Sequence, residues 1–412
     1  MASTPLPRNV KALSAVSLLT DASSEMILPL LPLFLTGVLG ASATTLGAIE
    51  GLADSAASLL KLASGWWSDR VRRRKPLVLA GYGIASVVRP LMAFAMHPWH
   101  VLVVRVADRV GKGIRSSPRD ALIADATPKE DRGRAYGFHR AADNLGAVVG
   151  PVVAWLMLQQ GHAELRTVFL WASLPALISV IVLFVFVRDV GGASGIRTKD
   201  GDGAHGAARA ASVASVASVT PAPAVPAGAA QPLGAVFWRY LVVVGVFTLG
   251  CSTDAFLLLR ASQIGVAAAW IPILWAVHNL VRALSSTPGG RLSDHVGRRP
   301  LIIAGWAVYA SVYLCFAYAS EAWHAWALLA AYGLYFGLAE GAEKALVADL
   351  VPAARRGAAF GWFNFVVGAS ALPASLLFGF VWDRVGPLAA FSMGASLAGA
   401  ATIGLLVLVP RR

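Results

Sequence analysis

Charge is scarce in this chain: of 412 residues only 14% are Asp, Glu, Lys or Arg, against 57% apolar side chains. A water-facing globule of that length needs far more polar surface, so the bilayer is left as the solvent, in keeping with a mean hydropathy of +0.65. Cysteine is scarcer still. Cys251 and Cys315 are the 2 present, both inside apolar stretches; they build no disulfide framework and read as small apolar residues. Histidine supplies no ligand set, since His97 and His100 share one turn but lack further ligands, and no metal is expected. No nucleophile, base and orienter fall in a recognisable arrangement, and Gly111-Lys112-Gly113 is neither placed nor followed as a phosphate loop would be. An enzyme, ATP hydrolysis and a cofactor are therefore not expected.

What is present is length of apolar chain. A span needs about 20 mostly apolar residues, and twelve stretches qualify, near 13–37, 44–68, 76–96, 99–124, 135–158, 167–187, 236–259, 267–290, 300–319, 323–350, 357–381 and 387–409. The first is long, holds Pro29 and Pro32 and lacks a small-residue cleavage site, so it is expected to stay as a span. Net charge is +13, which in a soluble protein would suggest nucleic acid. Here Arg8, Lys11, the run Arg70 to Lys75, Lys129, Arg132, Arg134, Arg298, Arg299, Arg355, Arg356, Arg411 and Arg412 fall on alternate loops, which makes that side the cytoplasm and leaves both termini there. No nucleic-acid partner is expected. Between Arg188 and Gly234 the composition shifts to Gly, Ala, Ser, Val and Pro, the signature of a disordered linker. The expected organisation is a six-helix bundle over 1–188, a cytoplasmic linker over 189–235 and a second bundle over 236–412.

The halves are copies. Gly65 opens a Gly-x-x-Ser-Asp segment that recurs from Gly290, 225 positions on, and Ala121 to Gly133 recurs as Ala345 to Gly357, 224 positions on. Tandem halves around a central site are how parallel-repeat secondary transporters are built. The loop segments resemble the Gly-x-x-x-Asp-Arg-x-Gly-Arg-Arg pattern of the major facilitator superfamily. Arg72 stands where that family has glycine; the second copy keeps Gly297 but has His295 for the basic residue. The resemblance implies a conformational latch: Asp69, beside Gly65 and Arg70, meets the start of helix 11 near Gly357, and Arg73 pairs with Asp125. Gly290, Asp294, Arg298 and Asp349 form the mirrored latch. A merely topogenic basic loop would explain the arginines but not the paired glycines and aspartates. Gly137, Gly146, Gly150 and Pro151 on helix 5 resemble the family's antiporter motif, although its closing glycines are Ala154 and Trp155 here. A plain packing face of small residues would account for the glycines too.

Helix 4 is the most charged stretch that must cross. Arg105, Asp108, Arg109, Lys112, Arg115 and Arg119 lie at helical steps, and each ionised group at the bilayer centre costs about 2.5–3.5 kcal/mol, so they face protein or water. Counter-charges are available at Asp21 and Glu25 on helix 1, Glu50 and Asp54 on helix 2, and Asp143 on helix 5. Arg105 resembles the family's helix 4 arginine associated with proton coupling. In the second half Asp254 aligns with Glu25 and Asn279 with Asp54, with His278 and Arg282 beside it; Glu340 has a local partner in Lys344, and Glu343 is left over for a cationic group. For the charges of the first half, a fixed ion-pair network holding the bundle together is the alternative. The expected protein is a monomeric, proton-coupled transporter of a small polar or charged solute in the cytoplasmic membrane, with export by antiport placed ahead of uptake by symport. A receptor or scaffold that keeps the fold without moving anything is the alternative from another class.

Overall fold

The computed structural model describes residues 6–68, 74–128, 131–160, 163–189, 233–352 and 355–410. Among them lie twelve long helical segments and no strand: α1 (Arg8–Val38), α2 (Ala43–Ser68), α3 (Lys75–Phe94), α4 (Pro98–Asp125), α5 (Arg132–Gln159), α6 (Leu165–Phe186), α7 (Ala235–Gln263), α8 (Ile271–Val296), α9 (Arg298–Tyr318), α10 (Ala322–Asp349), α11 (Arg356–Arg384) and α12 (Pro387–Leu408). Eight are long and apolar enough to cross a membrane by composition alone. The other four, α2, α4, α8 and α10, carry Glu50 and Asp54, the helix 4 charges, Arg282, and Glu340 and Glu343; helices so charged have to be shielded from lipid by protein or water.

Local chemistry sets where these helices begin and bend. Pro98 occupies the first turn of α4, where a missing N–H costs nothing. His100 Nδ1 accepts from the N–H of Met96 at 3.1 Å and of His97 at 3.3 Å, and 224 positions on His324 Nδ1 accepts from Ser320 at 3.4 Å and Glu321 at 3.1 Å. The same cap thus starts α4 and α10, a third landmark of the duplication, and it gives the His97/His100 pair its use. Pro29 and Pro32 tighten α1 into a 3-10 turn at Leu28–Leu30, followed by π turns over Phe34–Val38. No proline is needed to interrupt α7, which unwinds between Gly250 and Ala255 and resumes as Ala255–Gln263.

α1 packs on α5 and α6, α2 on α4, and α3 on α4; in the second bundle α8 packs on α10, α9 on α10 and α12, and α7 on α12. Small residues allow the close approaches. A Cβ on Gly111 would sit 2.6 Å from the Gly81 carbonyl oxygen, and one on Gly113 2.7 Å from Leu60 Cβ. Both glycines of Gly111-Lys112-Gly113 are therefore packing positions. Gly146 and Gly150 of α5 press on α1 at Leu18 and Ala22, whereas Gly137 meets nothing within 4 Å, so the packing face covers only part of the antiporter-like motif.

The bundles meet along α2 with α11 and α5 with α8. Gly47 and Gly51 lie against Ser375 and Leu372, Gly379 against Ala43 and Thr44, and Ser55 Oγ donates to the Gly368 carbonyl at 2.7 Å. Asp383, at the end of α11, accepts from the Ala43 N–H at 3.0 Å, the Thr44 N–H at 2.8 Å and the Thr44 hydroxyl at 2.6 Å. One bundle thereby caps the first turn of a helix in the other. Trp155 and Trp270 close the α5–α8 seam at the same end, with ring centroids 5.5 Å apart. At the far end Gly137, Gly290, Gly357 and Gly361 meet nothing within 4 Å. Among the described residues, these contacts between bundles gather toward the Asp383 end.

Candidate functional site: a central cavity between the bundles

Between the bundles lies a cavity of about 490 Å³, lined from the first by Glu50, Asp54, Arg109, Lys112 and Ser116, and from the second by Thr253, Asp254, Trp275, Tyr309, Tyr332, Tyr335 and Phe336. Of the candidates from sequence, Glu50, Asp54, Arg109, Lys112 and Asp254 line it. The rest stand behind it or away from it.

The helix 4 stripe is mostly answered by neighbouring helices. Arg105 grips Glu50 with two parallel bonds of 2.7 and 2.5 Å, both side chains being buried; this fork geometry is the strongest form of the pair. Asp108 takes the Arg89 Nε at 2.9 Å, and Arg89 also donates to the Thr20 carbonyl at 2.9 Å. Arg89 was not among the candidates. Its signal was available, since a lone arginine within the apolar stretch 76–96 requires a partner. Arg109 Nη2 stands 3.4 Å from Asp54, whose side chain is 44% exposed. Arg115 lies over the Tyr82 ring at 4.3 Å. Arg119 pairs with Asp120 at 3.0 Å.

Glu25 makes no ion pair among the described residues. It accepts the Trp275 indole N–H at 2.6 Å, a bond from α8 to α1 across the bundle interface. Asp21 packs toward Gly146 of α5, and Asp143 lies 3.7 Å from His139 on its own helix. In the second bundle Asp254 accepts from the Tyr332 hydroxyl at 2.7 Å. It is not the counterpart of Glu25: the 224-residue offset of the helix caps places it opposite Leu30, in the unwound part of α7. His278 is stacked between Trp275 and Tyr332, with Nδ1 3.2 Å from the Leu329 carbonyl. Asn279 donates to the Ala147 carbonyl at 3.5 Å, another bond between bundles. Arg282 and Lys344 both hold Glu340, each at 2.9 Å. Glu343, expected to meet a cation, instead accepts the Trp306 indole N–H at 2.7 Å, because that indole is the donor buried beside it.

Most of the latch falls outside the described residues. Asp69, Arg70 and Arg73 are not described, nor is the side chain of Asp294. Asp125 is held by Arg74, one residue past the arginine expected to pair with it. Arg298 Nε lies 3.7 Å from Asp349 in the second copy. Gly297 there has φ +98°, which explains a glycine at that turn. Gly65 and Gly290 are both in helix, and a Cβ on Gly357, the expected docking point of Asp69, would meet nothing within 4 Å among the described residues.

The aromatic wall was missed from sequence. Tyr332, Tyr335 and Phe336 stand at i, i+3 and i+4 on α10, with Tyr309 of α9 set edge-on to Tyr335 and tilted against Tyr332. Spaced so, they pass for a core stripe; their proximity to Glu340 and Glu343 on the same helix was the available cue.

Comparison with known proteins agrees with this architecture. The family model described as Major Facilitator Superfamily matches residues 13–372 and 255–412. An uncharacterised MFS-type transporter of Methanocaldococcus jannaschii is 31% identical over 399 residues, 95% of this chain and 93% of its own length. The multidrug resistance protein MdtG of Salmonella paratyphi C is 32% identical over 177 residues, 42% of each chain. In fold, a POT family transporter crystallised with 5-aminolevulinic acid superposes with a TM-score of 0.77 at 11% identity, covering 98% of this chain and 96% of that one.

Proposed function

This chain belongs to the major facilitator superfamily and is a multi-pass membrane transporter, and from that premise we propose that it exports a small solute in exchange for protons. Residues 1–188 and 236–412 rock as two units about the cavity, joined by the linker 189–235. The alternation of basic loops favours the cytoplasm for both termini, and with them the Asp383 end faces outward. Each chain completes its own cavity, and a monomer suffices.

The observation that carries the proton coupling is the contrast between two carboxylates one turn apart on α2. Glu50 is clamped by Arg105 and buried, which suits a fixed structural pair. Asp54 lines the cavity, is reached by solvent and has a single looser contact to Arg109. A carboxylate of that kind exchanges a proton for an arginine as the bundles move. Glu25 reports the movement, since its Trp275 contact spans the interface and is broken when the bundles separate there. One proton falling through 100 mV supplies about 2.3 kcal/mol, enough for roughly a fiftyfold solute gradient. Ala154 and Trp155, in place of the motif's closing glycines, favour uptake by symport as the second reading.

Purified protein in liposomes with an imposed pH gradient tests the coupling. Gradient-driven flux is expected to be abolished in Asp54→Asn while solute exchange without a gradient persists. Gradient-driven flux that survives this substitution eliminates Asp54 from the role. Flux in the wild type that ignores the gradient removes proton coupling altogether.

A further inference from the structure

The last turn of α6 is where three cations from three segments meet. Lys75, at the start of α3, donates from Nζ to the Phe184 carbonyl at 2.8 Å and lies over the Phe184 ring at 5.5 Å. Arg8, at the start of α1, lies over the Phe186 ring at 5.5 Å. Arg188 follows just past α6; its backbone exchanges two bonds with the Asn9 side chain, at 2.8 and 3.2 Å, which fixes the chain there and leaves the guanidinium to the outside. Arg8 and Arg188 are exposed and Lys75 is half-buried. Among the described residues none of the three forms an ion pair with a carboxylate. The nearby carboxylates are committed elsewhere. Asp125 is held by Arg74, and Asp189 Oδ1 accepts the N–H groups of Arg74 at 3.1 Å and Lys75 at 2.9 Å, so its charge sits on the amino-terminal dipole of α3. Even with Asp189 set against one of the three cations, two positive charges are left over.

The surface beside these cations is apolar and outward-facing. α6 has a mean hydropathy of 2.6, the highest of the eight apolar spans, and Ile181, Phe184, Val185 and Phe186 are exposed along its last turns. In a membrane-spanning chain such side chains touch hydrocarbon, and cations laid over the terminal rings stand at the level of the lipid headgroups. One bond of the arrangement is inherited by both halves: 224 positions on from Lys75, Arg299 donates to the Leu405 carbonyl at 3.1 and 3.3 Å near the end of α12. The further cation is not, since Pro232 stands 224 positions on from Arg8. Basic residues at this end also set topology, but topology depends on their number in the loops and not on their convergence at one helix end beside exposed rings. We propose that this corner of the first bundle binds an anionic phospholipid from the leaflet on the side of the termini, its phosphate among Arg8, Lys75 and Arg188 and its acyl chains along α6. The site is separate from the cavity and independent of the solute and the coupling ion.

Native mass spectrometry of the full-length protein in detergent tests this, with dioleoylphosphatidylglycerol and dioleoylphosphatidylcholine as the titrated lipids, since they share acyl chains and differ in net charge. At about fivefold for each uncompensated cation near an anionic headgroup, the first phosphatidylglycerol is expected to bind about tenfold or more tightly than phosphatidylcholine. Arg8→Gln combined with Arg188→Gln removes two charges and keeps the backbone bonds to Asn9 and Asp189; it is expected to bring the two lipids within about threefold. Arg384→Gln removes a cation that lies over the Phe380 ring at 5.5 Å near the Asp383 end, and is expected to keep the preference. Glycerol 3-phosphate, which carries the phosphate without the chains, is expected not to displace the lipid at equal concentration. Equal binding of the two lipids, a preference that survives the double substitution, a preference lost equally in Arg384→Gln, or displacement by glycerol 3-phosphate overturns the proposal. Should the double variant fail to fold, Arg188→Gln alone is expected to lower the preference about fivefold, and an unchanged preference overturns it equally.

Discussion

In the first bundle the buried charged side chains are Glu50, Arg89, Arg105, Asp108 and Arg115; in the second, among the described residues, no Asp, Glu, Lys or Arg is buried, and Trp306, Tyr240, Tyr309, Tyr313, Phe237, Phe247 and Phe316 fill the interior. Both halves inherit one backbone plan, down to the histidine caps of α4 and α10. Yet one half holds its helices with desolvated ion pairs and the other with stacked rings. Dispersion and ring geometry tolerate substitution gradually, whereas a buried ion pair is costly to leave half made. The duplication has thus left buried fixed charge, and the carboxylate proposed for coupling, in one bundle and a largely aromatic interior in the other.

The largest effect is expected where an ion pair is broken on one side only. Glu50→Gln leaves Arg105 buried without its carboxylate and is expected to cost about 3–5 kcal/mol, read as a drop in the thermal midpoint in detergent. Adding Arg105→Gln is expected to recover part of that loss. A single substitution that leaves the midpoint unmoved would mean that water, not Glu50, neutralises the arginine. The matching test in the second bundle is Trp306→Phe, which keeps the ring and removes the donor to Glu343. It is expected to cost about 1.5–3 kcal/mol if the carboxylate depends on that bond, and no loss would show the aromatic half to be held by packing alone.

Gly289→Ala probes a helix crossing in the second bundle, where a Cβ would collide with the Gly337 backbone. Overpacking of this kind is expected to cost about 1–3 kcal/mol, with Gly111→Ala as the equivalent at Gly81 in the first. Near-equal losses would show that the halves share their small-residue packing and differ only in polar content. The smallest effect is expected for Asp383→Asn, which removes the charge that caps α2 across the interface. A carboxylate at a helix start contributes about 0.3–1 kcal/mol, so the contacts at the Asp383 end should open up to about fivefold more often. Faster labelling of an Ala43→Cys reporter by an impermeant maleimide would register it; an unchanged rate assigns the closure there to the glycine contacts instead.

Much of the fold was legible from the sequence because the bilayer imposes a length and a polarity on every span. The second span, expected near 44–68, is Ala43–Ser68. The eighth, expected near 267–290, runs to Val296, since nothing stops the helix before Gly297 turns with a positive φ. Hydropathy ends at the polar motif, but hydrogen bonding does not. The site was less legible. Periodicity put the helix 4 charges on one stripe, yet it could not tell Lys112, which faces the cavity, from Arg105 and Asp108, which are consumed by Glu50 and Arg89. That distinction depends on which neighbouring helix approaches each turn, and so on Gly111 and Gly113. The ring wall escaped notice because apolar aromatics in a membrane helix carry no mark of whether they face core, lipid or cavity.

The movement of one bundle against the other is tested most directly by distances between spin labels, measured at the two ends of the molecule. One pair is placed at Ser42 and Val385 beside the Asp383 cap, the other at Arg140 and Leu292 toward the opposite ends of α5 and α8, in a background carrying Cys251→Ser and Cys315→Ser. Two populations are expected, in which the first distance lengthens as the second shortens, with their ratio shifting with pH in the wild type and not in Asp54→Asn. A single fixed distance at both ends, or two distances that lengthen together, would contradict alternating access about this cavity.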